Sequence, residues 1–134
     1  MKLLGVDIGT TSICVDVIDS ETGEVIATSN VPNSSFIHTA KPYEKIQDPA
    51  RIVTVAEHAV EAMITKHSPI AAIGISGQMH GILYLNAEGN AVSPLYIWQD
   101  GRGDLEYKDG KSYAEYMSEQ TGCNLATGFG AVTH

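Results

Sequence analysis

Residues 3–19, LLGVDIGTTSICVDVID, are the stretch whose reading decides the fold. An apolar run up to Ile8 carries a single carboxylate, Asp7, and stops at Gly9. A second run, residues 12–19, is rich in β-branched side chains, so two strands joined by the tight turn Gly9-Thr10-Thr11 are expected. The turn Ser20-Glu21-Thr22-Gly23 and a third strand candidate, residues 24–31, follow. Such short connections between strands imply an antiparallel meander.

Moving outward, residues 32–47 hold Phe36, His38, Tyr43 and two prolines without a period and read as an ordered loop. Asp48 followed by Pro49 has the form of a helix N-cap and first helical position. Ile52, Val53, Ala56, Ala59, Val60 and Met63 then recur at helical spacing to about Lys66. Residues 70–75, IAAIGI, read as a buried strand, parallel to the first because a helix precedes it. Residues 82–86 and 91–98 suggest a hairpin whose second arm carries Pro94, and the charged segment 103–119 reads as a helix. Gly122, Gly128 and Gly130 punctuate the last thirteen residues.

The bulk properties narrow the function. The 134 residues suit one domain, with 43% hydrophobic and 18% charged content, so a packed core is expected. Eight basic residues against sixteen acidic give a net charge of −8. That balance argues against a nucleic-acid binder, whose affinity rests on clustered Lys and Arg. The longest apolar runs fall far short of the ~20 residues that cross a bilayer, so no membrane association is expected. Asp7 interrupts the N-terminal apolar stretch, which does not read as a signal peptide. Cys14 and Cys123 form no metal or redox motif and are expected to be free thiols of a reducing, cytoplasmic compartment.

Three constellations carry chemistry. The first is Asp7 with Gly9, Thr10, Thr11 and Ser12. A glycine and small hydroxyl residues in a hairpin can offer N–H and O–H groups to phosphate, and a neighbouring carboxylate can hold a hydrated Mg²⁺. Neither GxxxxGK[ST] nor GxGxxG occurs. On local chemistry a plain hairpin with Asp7 capping its turn fits equally well. The order of elements resembles the nucleotide-binding half-domain of the actin, Hsp70 and sugar-kinase superfamily. That resemblance implies an α/β, ribonuclease-H-like mixed sheet with a three-strand meander and flanking helices.

The second constellation is SGQMHG, residues 76–81. Its glycines allow a sharp turn beyond a strand, and ligand sites of open α/β sheets lie beyond carboxyl ends of parallel strands. His80 could donate to a substrate hydroxyl, or it could satisfy a backbone carbonyl in a turn. The third is WQDGR, residues 98–102. The Trp98 indole offers a flat apolar face to sugar C–H groups, or serves as a core residue. Asp100 and Arg102 could bind hydroxyls or pair with each other.

SGQMHG and WQDGR together are similar to motifs of the FGGY carbohydrate kinases. The closing ATGFG, residues 126–130, looks most like sedoheptulokinase-like members, with xylulokinase-like members next. The resemblance implies substrate contacts at Gln78, Met79, His80, Trp98 and Asp100, and phosphate contacts at residues 9–12. It also implies Mg²⁺ held through water by Asp7, ATP as the second substrate, and transfer to a primary hydroxyl of a ketose. It leaves room for a homodimer of the full-length protein. It makes residues 1–134 the N-terminal part of the first lobe, with the rest of that lobe and the second lobe absent. The family's general base, an aspartate, is expected downstream, so no catalytic residue is assigned here and the fragment is expected to be inactive. The alternative from another class is a non-enzymatic, actin-like or chaperone-like nucleotide switch. Such a switch would share the DIGTTS hairpin without reason to carry SGQMHG and WQDGR.

Overall fold

The computed structural model describes residues 1–130 and comprises two compact units. The first unit contains residues 1–35 and 50–78. Strands β1 (Lys2–Ile8), β2 (Ser12–Asp19) and β3 (Val25–Pro32) form the expected antiparallel meander. Helix α1 (Pro49–His67) opens at the expected proline. It leads to β6 (Ala72–Gly77), which pairs parallel with β1. The sheet order is therefore β3-β2-β1-β6.

Alternation along the strands separates the two sheet faces. Leu4 and Val6 of β1 and Ile13, Val15 and Val17 of β2 are buried against Ala59 and Met63 of α1. The intervening positions, Gly5, Asp7, Cys14 and Asp16, therefore belong to the opposite face. Two expectations need correction here. Val53 is 54% exposed, so the apolar stripe of α1 is carried by Ile52, Ala59 and Met63, with Ala56 and Val60 partly buried. The strand after α1 is parallel as expected but exposed throughout, with Ile75 73% exposed. It occupies the sheet edge, with β1 on one side only.

Of the described residues, the second unit contains 36–49 and 79–130. Residues 32–47, expected to be loop, include β4 (Phe36–Ile37) and β5 (Ile46–Gln47), which join β7 (Leu95–Tyr96) in the order β4-β5-β7. The expected hairpin across residues 82–98 forms as isolated bridges, Ile82 to Tyr96 and Leu85 to Ala91, instead of two continuous arms. The helix expected over 103–119 is mostly replaced. A 3₁₀ turn (Arg102–Asp104) and a hairpin, β8 (Glu106–Lys108) and β9 (Lys111–Ser112), precede a short helix α2 (Tyr113–Thr121). The reason is local: Asp109 and Gly110 both take positive φ, 55° and 74°, as a type I′ hairpin turn requires. Ser112 and Glu115 then start α2 with a reciprocal capping box, and Gly122 ends it in the left-handed conformation.

Candidate functional site

In the first unit, the register aligns Asp7 with Cys14 on β2 and with Ser76 on β6. The Ser76 hydroxyl donates to Asp7 Oδ1 at 2.6 Å, and the carboxylate is otherwise exposed. A trough of about 400 Å³ runs along this sheet face, lined by Gly5, Asp7, Cys14, Asp16, Gly74 and Ser76 among others. Gly5 and Gly74 leave its floor open, since a Cβ at either would meet nothing within 4 Å. Two carboxylates make the trough negative. Burial, then the charges of Asp16 and Asp7, push the Cys14 thiol up from its ordinary value.

The hairpin beside Asp7 is tightly closed. Gly9 N–H donates to the Ser12 carbonyl at 2.9 Å, and a Cβ on Gly9 would stand only 2.8 Å from that oxygen. Thr10 Oγ1 donates to Gln78 Oε1 at 2.9 Å, tying the turn to the end of β6, while Thr11 is exposed. From behind, Asn33 holds the turn twice. Its Nδ2 donates to the Gly9 carbonyl at 2.8 Å, and its backbone N–H donates to the Thr11 carbonyl at 2.9 Å. Asn33 Oδ1 in turn accepts from the buried Ser35 hydroxyl at 2.6 Å. Sequence reasoning did not single out Asn33 or Ser35, whose only local signal was a cluster of small polar residues after β3 that reads as generic loop, and it gave Ser76 no role beyond opening SGQMHG.

In the second unit, Met79 and His80 are exposed, and Trp98 is 49% exposed. His80 has φ +66°, uncommon for a residue with a side chain. Its ring stacks on Phe129 with centroids 4.6 Å apart. Asp100 is wholly buried. Its Oδ1 accepts from the Arg102 N–H and Nε, at 3.1 and 2.7 Å. Its Oδ2 accepts from the Lys45 N–H and Arg102 Nη2, at 3.0 and 3.2 Å. Burial works against the Arg102 charge, but the Asp100 hydrogen bond and charge outweigh it and hold the guanidinium above its ordinary value. Arg102 also lies 4.3 Å over the Tyr96 ring and 3.6 Å from Glu44. The intra-motif pairing of Asp100 with Arg102 is thus the arrangement observed. The described residues hold no group of three His, Cys, Asp or Glu side chains placed to grip a metal directly. No described helix is long and apolar enough to cross a membrane.

Residues 2–133 match the FGGY family of carbohydrate kinases, N-terminal domain. The chain belongs to the FGGY carbohydrate kinases. Among curated relatives, the xylulose kinase of Escherichia coli is 33% identical over 101 residues, covering 74% of this chain and 20% of that protein. The sedoheptulokinase of Mus musculus is 30% identical over 155 residues, covering 97% and 31% respectively. A solved structure, a xyloylose kinase from Brucella ovis, superposes with a TM-score of 0.76 at 28% identity, covering 91% of this chain and 24% of that one. The α/β fold expected from the superfamily resemblance is the fold of these kinases. This FGGY chain spans between a fifth and a third of the length of the two curated relatives named.

Proposed function

We propose that this chain supplies the phosphate-binding hairpin and one sugar-binding wall of an ATP-dependent ketose kinase, sedoheptulose-like or xylulose-like in substrate. The family match over residues 2–133 carries the reading. The local chemistry fits it. Asp7 and Ser76 offer a hard, all-oxygen donor pair, which suits a Mg²⁺ that keeps most of its waters. When bound, that ion would neutralise charge on the nucleotide's terminal phosphates. Gly9 admits the close backbone turn, and Thr10, Thr11 and Ser12 bring hydroxyls to it. The Gly9 N–H is committed to Ser12 and the Thr10 hydroxyl to Gln78, so the hydroxyls of Thr11 and Ser12 are the donors assigned to phosphate.

On the sugar side, Met79 provides an apolar contact, His80 a hydroxyl partner and Trp98 a flat face for C–H groups. Gln78 is assigned to the sugar side as well, steadied by Thr10. Asp100 is better assigned to holding the Lys45 and Arg102 segments in place, because both its oxygens are already occupied. The same geometry makes Asp100 unsuitable as the base that accepts the sugar proton. That base belongs to a part of the protein outside these residues, and residues 1–134 alone have no phosphotransferase activity. The two free thiols suit a cytoplasmic setting.

The test uses the full-length polypeptide carrying this chain. His80→Ala should raise the sugar KM with little change in the ATP KM, whereas Asp7→Ala should depress kcat sharply. Equal losses of sugar and nucleotide affinity in His80→Ala would contradict the sugar assignment. Near-normal turnover in Asp7→Ala would remove Asp7 from the metal.

A further inference from the structure

We propose that Phe129 is a positioning residue for His80, fixing the angle at which the imidazole meets the sugar. The proposal rests on the reading of His80 as a sugar partner. Four observations within the second unit support it. The Phe129 ring covers one face of the imidazole, with centroids 4.6 Å apart and planes only 16° from parallel. Next in the chain, Gly130 N–H donates to the His80 carbonyl at 2.9 Å, so ring and main chain of His80 are held by consecutive residues. On its other side, the loop is pinned to β7. Ile82 N–H donates to the Tyr96 carbonyl at 2.9 Å, and a Cβ at Gly81 would lie 2.8 Å from that oxygen. His80 is therefore fixed in a backbone conformation that side chains rarely adopt, and such strain persists only where surroundings impose it.

The fourth observation links the segment to WQDGR. Thr127 Oγ1 donates to the Asp100 carbonyl at 3.3 Å. Gly128 has φ +84°, and any Cβ there would overlap the Trp98 carbonyl. Residues 127–130 thus touch both loops that carry the expected sugar contacts, and Phe129 is the one whose side chain lies on a sugar-facing ring. A histidine free to rotate would spend part of its time in orientations that miss the hydroxyl. Stacking removes those orientations before the sugar arrives, which favours binding without a new contact to it.

The test compares Phe129→Leu and Phe129→Met, which keep apolar volume and lose the ring, with Phe129→Tyr, which keeps it. All are made in the full-length polypeptide. Two readouts are taken: the ring-proton shifts of ¹³C-labelled His80 without ligand, and KM for sugar and ATP separately. In the ring-less variants the His80 signals should move downfield as the ring current disappears. Their sugar KM should rise about two- to tenfold, the range a stacked aromatic pair supports, with the ATP KM unchanged and Phe129→Tyr close to wild type. Unmoved His80 signals, or moved signals with an unchanged sugar KM, would overturn the positioning role. Failure of the unmodified enzyme to phosphorylate any sugar would instead defeat the kinase reading, and the His80 shifts would still decide whether the stack exists.

Discussion

The turn that would face phosphate is braced by one buried amide, and replacing Asn33 by Ala should show what that brace contributes. The substitution removes two side-chain hydrogen bonds, Nδ2 to the Gly9 carbonyl and Ser35 Oγ to Oδ1. Loss of the first costs about 1 kcal/mol net. The second loss is larger in principle, because Ser35 is only 2% exposed and its hydroxyl is left unpaired away from water. Such an orphan costs about 1–3 kcal/mol. The expected total is about 2–4 kcal/mol, measured by urea unfolding, where a slope near 2 kcal/mol/M would shift the midpoint by about 1–2 M. The double variant Asn33→Ala with Ser35→Ala provides the internal control. Removing both partners leaves no orphaned hydroxyl, so the pair should cost clearly less than the sum of the singles. A single-variant loss below about 0.5 kcal/mol, or strict additivity in the pair, would refute the bracing argument.

Other outcomes follow from the same geometry. Asp100→Asn should destabilise by about 3 kcal/mol, the low end for removing one partner of a buried ion pair, because Glu44 and the Tyr96 ring still face the Arg102 guanidinium; chemical denaturation showing less than about 1 kcal/mol would sink this view. Backbone N–H groups of Glu21 and Thr22 hold the Asp19 carboxyl below its ordinary value, and the Ser112 N–H does the same for Glu115. Depressed folded values mean that the unfolded chain binds more protons. Both groups therefore stabilise above about pH 4 and lose that contribution as pH falls through their depressed values. Thermal unfolding from pH 6 to pH 2 should show a shallower acid decline for Asp19→Asn and Glu115→Gln than for the parent, and parallel curves would contradict the assignment.

How much of this was legible in the sequence depended on where the determining contacts lay. The meander, α1 and the parallel β6 were readable because each carries its own signal: the apolar run stopping at Gly9, the β-branched run over residues 12–19, the helical stripe ending at Met63, and the apolar run that follows that helix. Segment 103–119 misled because its charged residues suit a solvated helix, although Asp109-Gly110 is a strong hairpin signal in its own right. Strands β4 and β5 are two residues long, too short to show a period, and β5 pairs with a strand nearly fifty residues later. Val53 and β6 were read as buried because apolar composition reports what can be buried, not what a neighbour covers.

The candidate site divided in the same way. Asp7, Gly9 and the hydroxyl residues of the turn announced themselves as a motif, and so did His80 and Trp98. The roles of Ser76, Asn33 and Phe129 were not legible, although Ser76 and Phe129 lie within SGQMHG and ATGFG, because each owes its place to a partner distant in sequence: Asp7, Gly9 and His80 respectively. Asp100 was read either as a hydroxyl contact or as a partner of Arg102; the structure shows the pairing and adds the Lys45 N–H, which the sequence did not suggest.

The central claim is that this FGGY chain forms part of a sugar kinase, and phosphate transfer tests it most directly. The full-length polypeptide would be given radiolabelled ATP and Mg²⁺ with sedoheptulose, D-xylulose, L-ribulose or glycerol, and phosphorylated product would be quantified. The account predicts transfer to a ketose well above the rate of ATP hydrolysis without sugar. ATP turnover that no sugar changes, with no phosphorylated sugar formed, would contradict it.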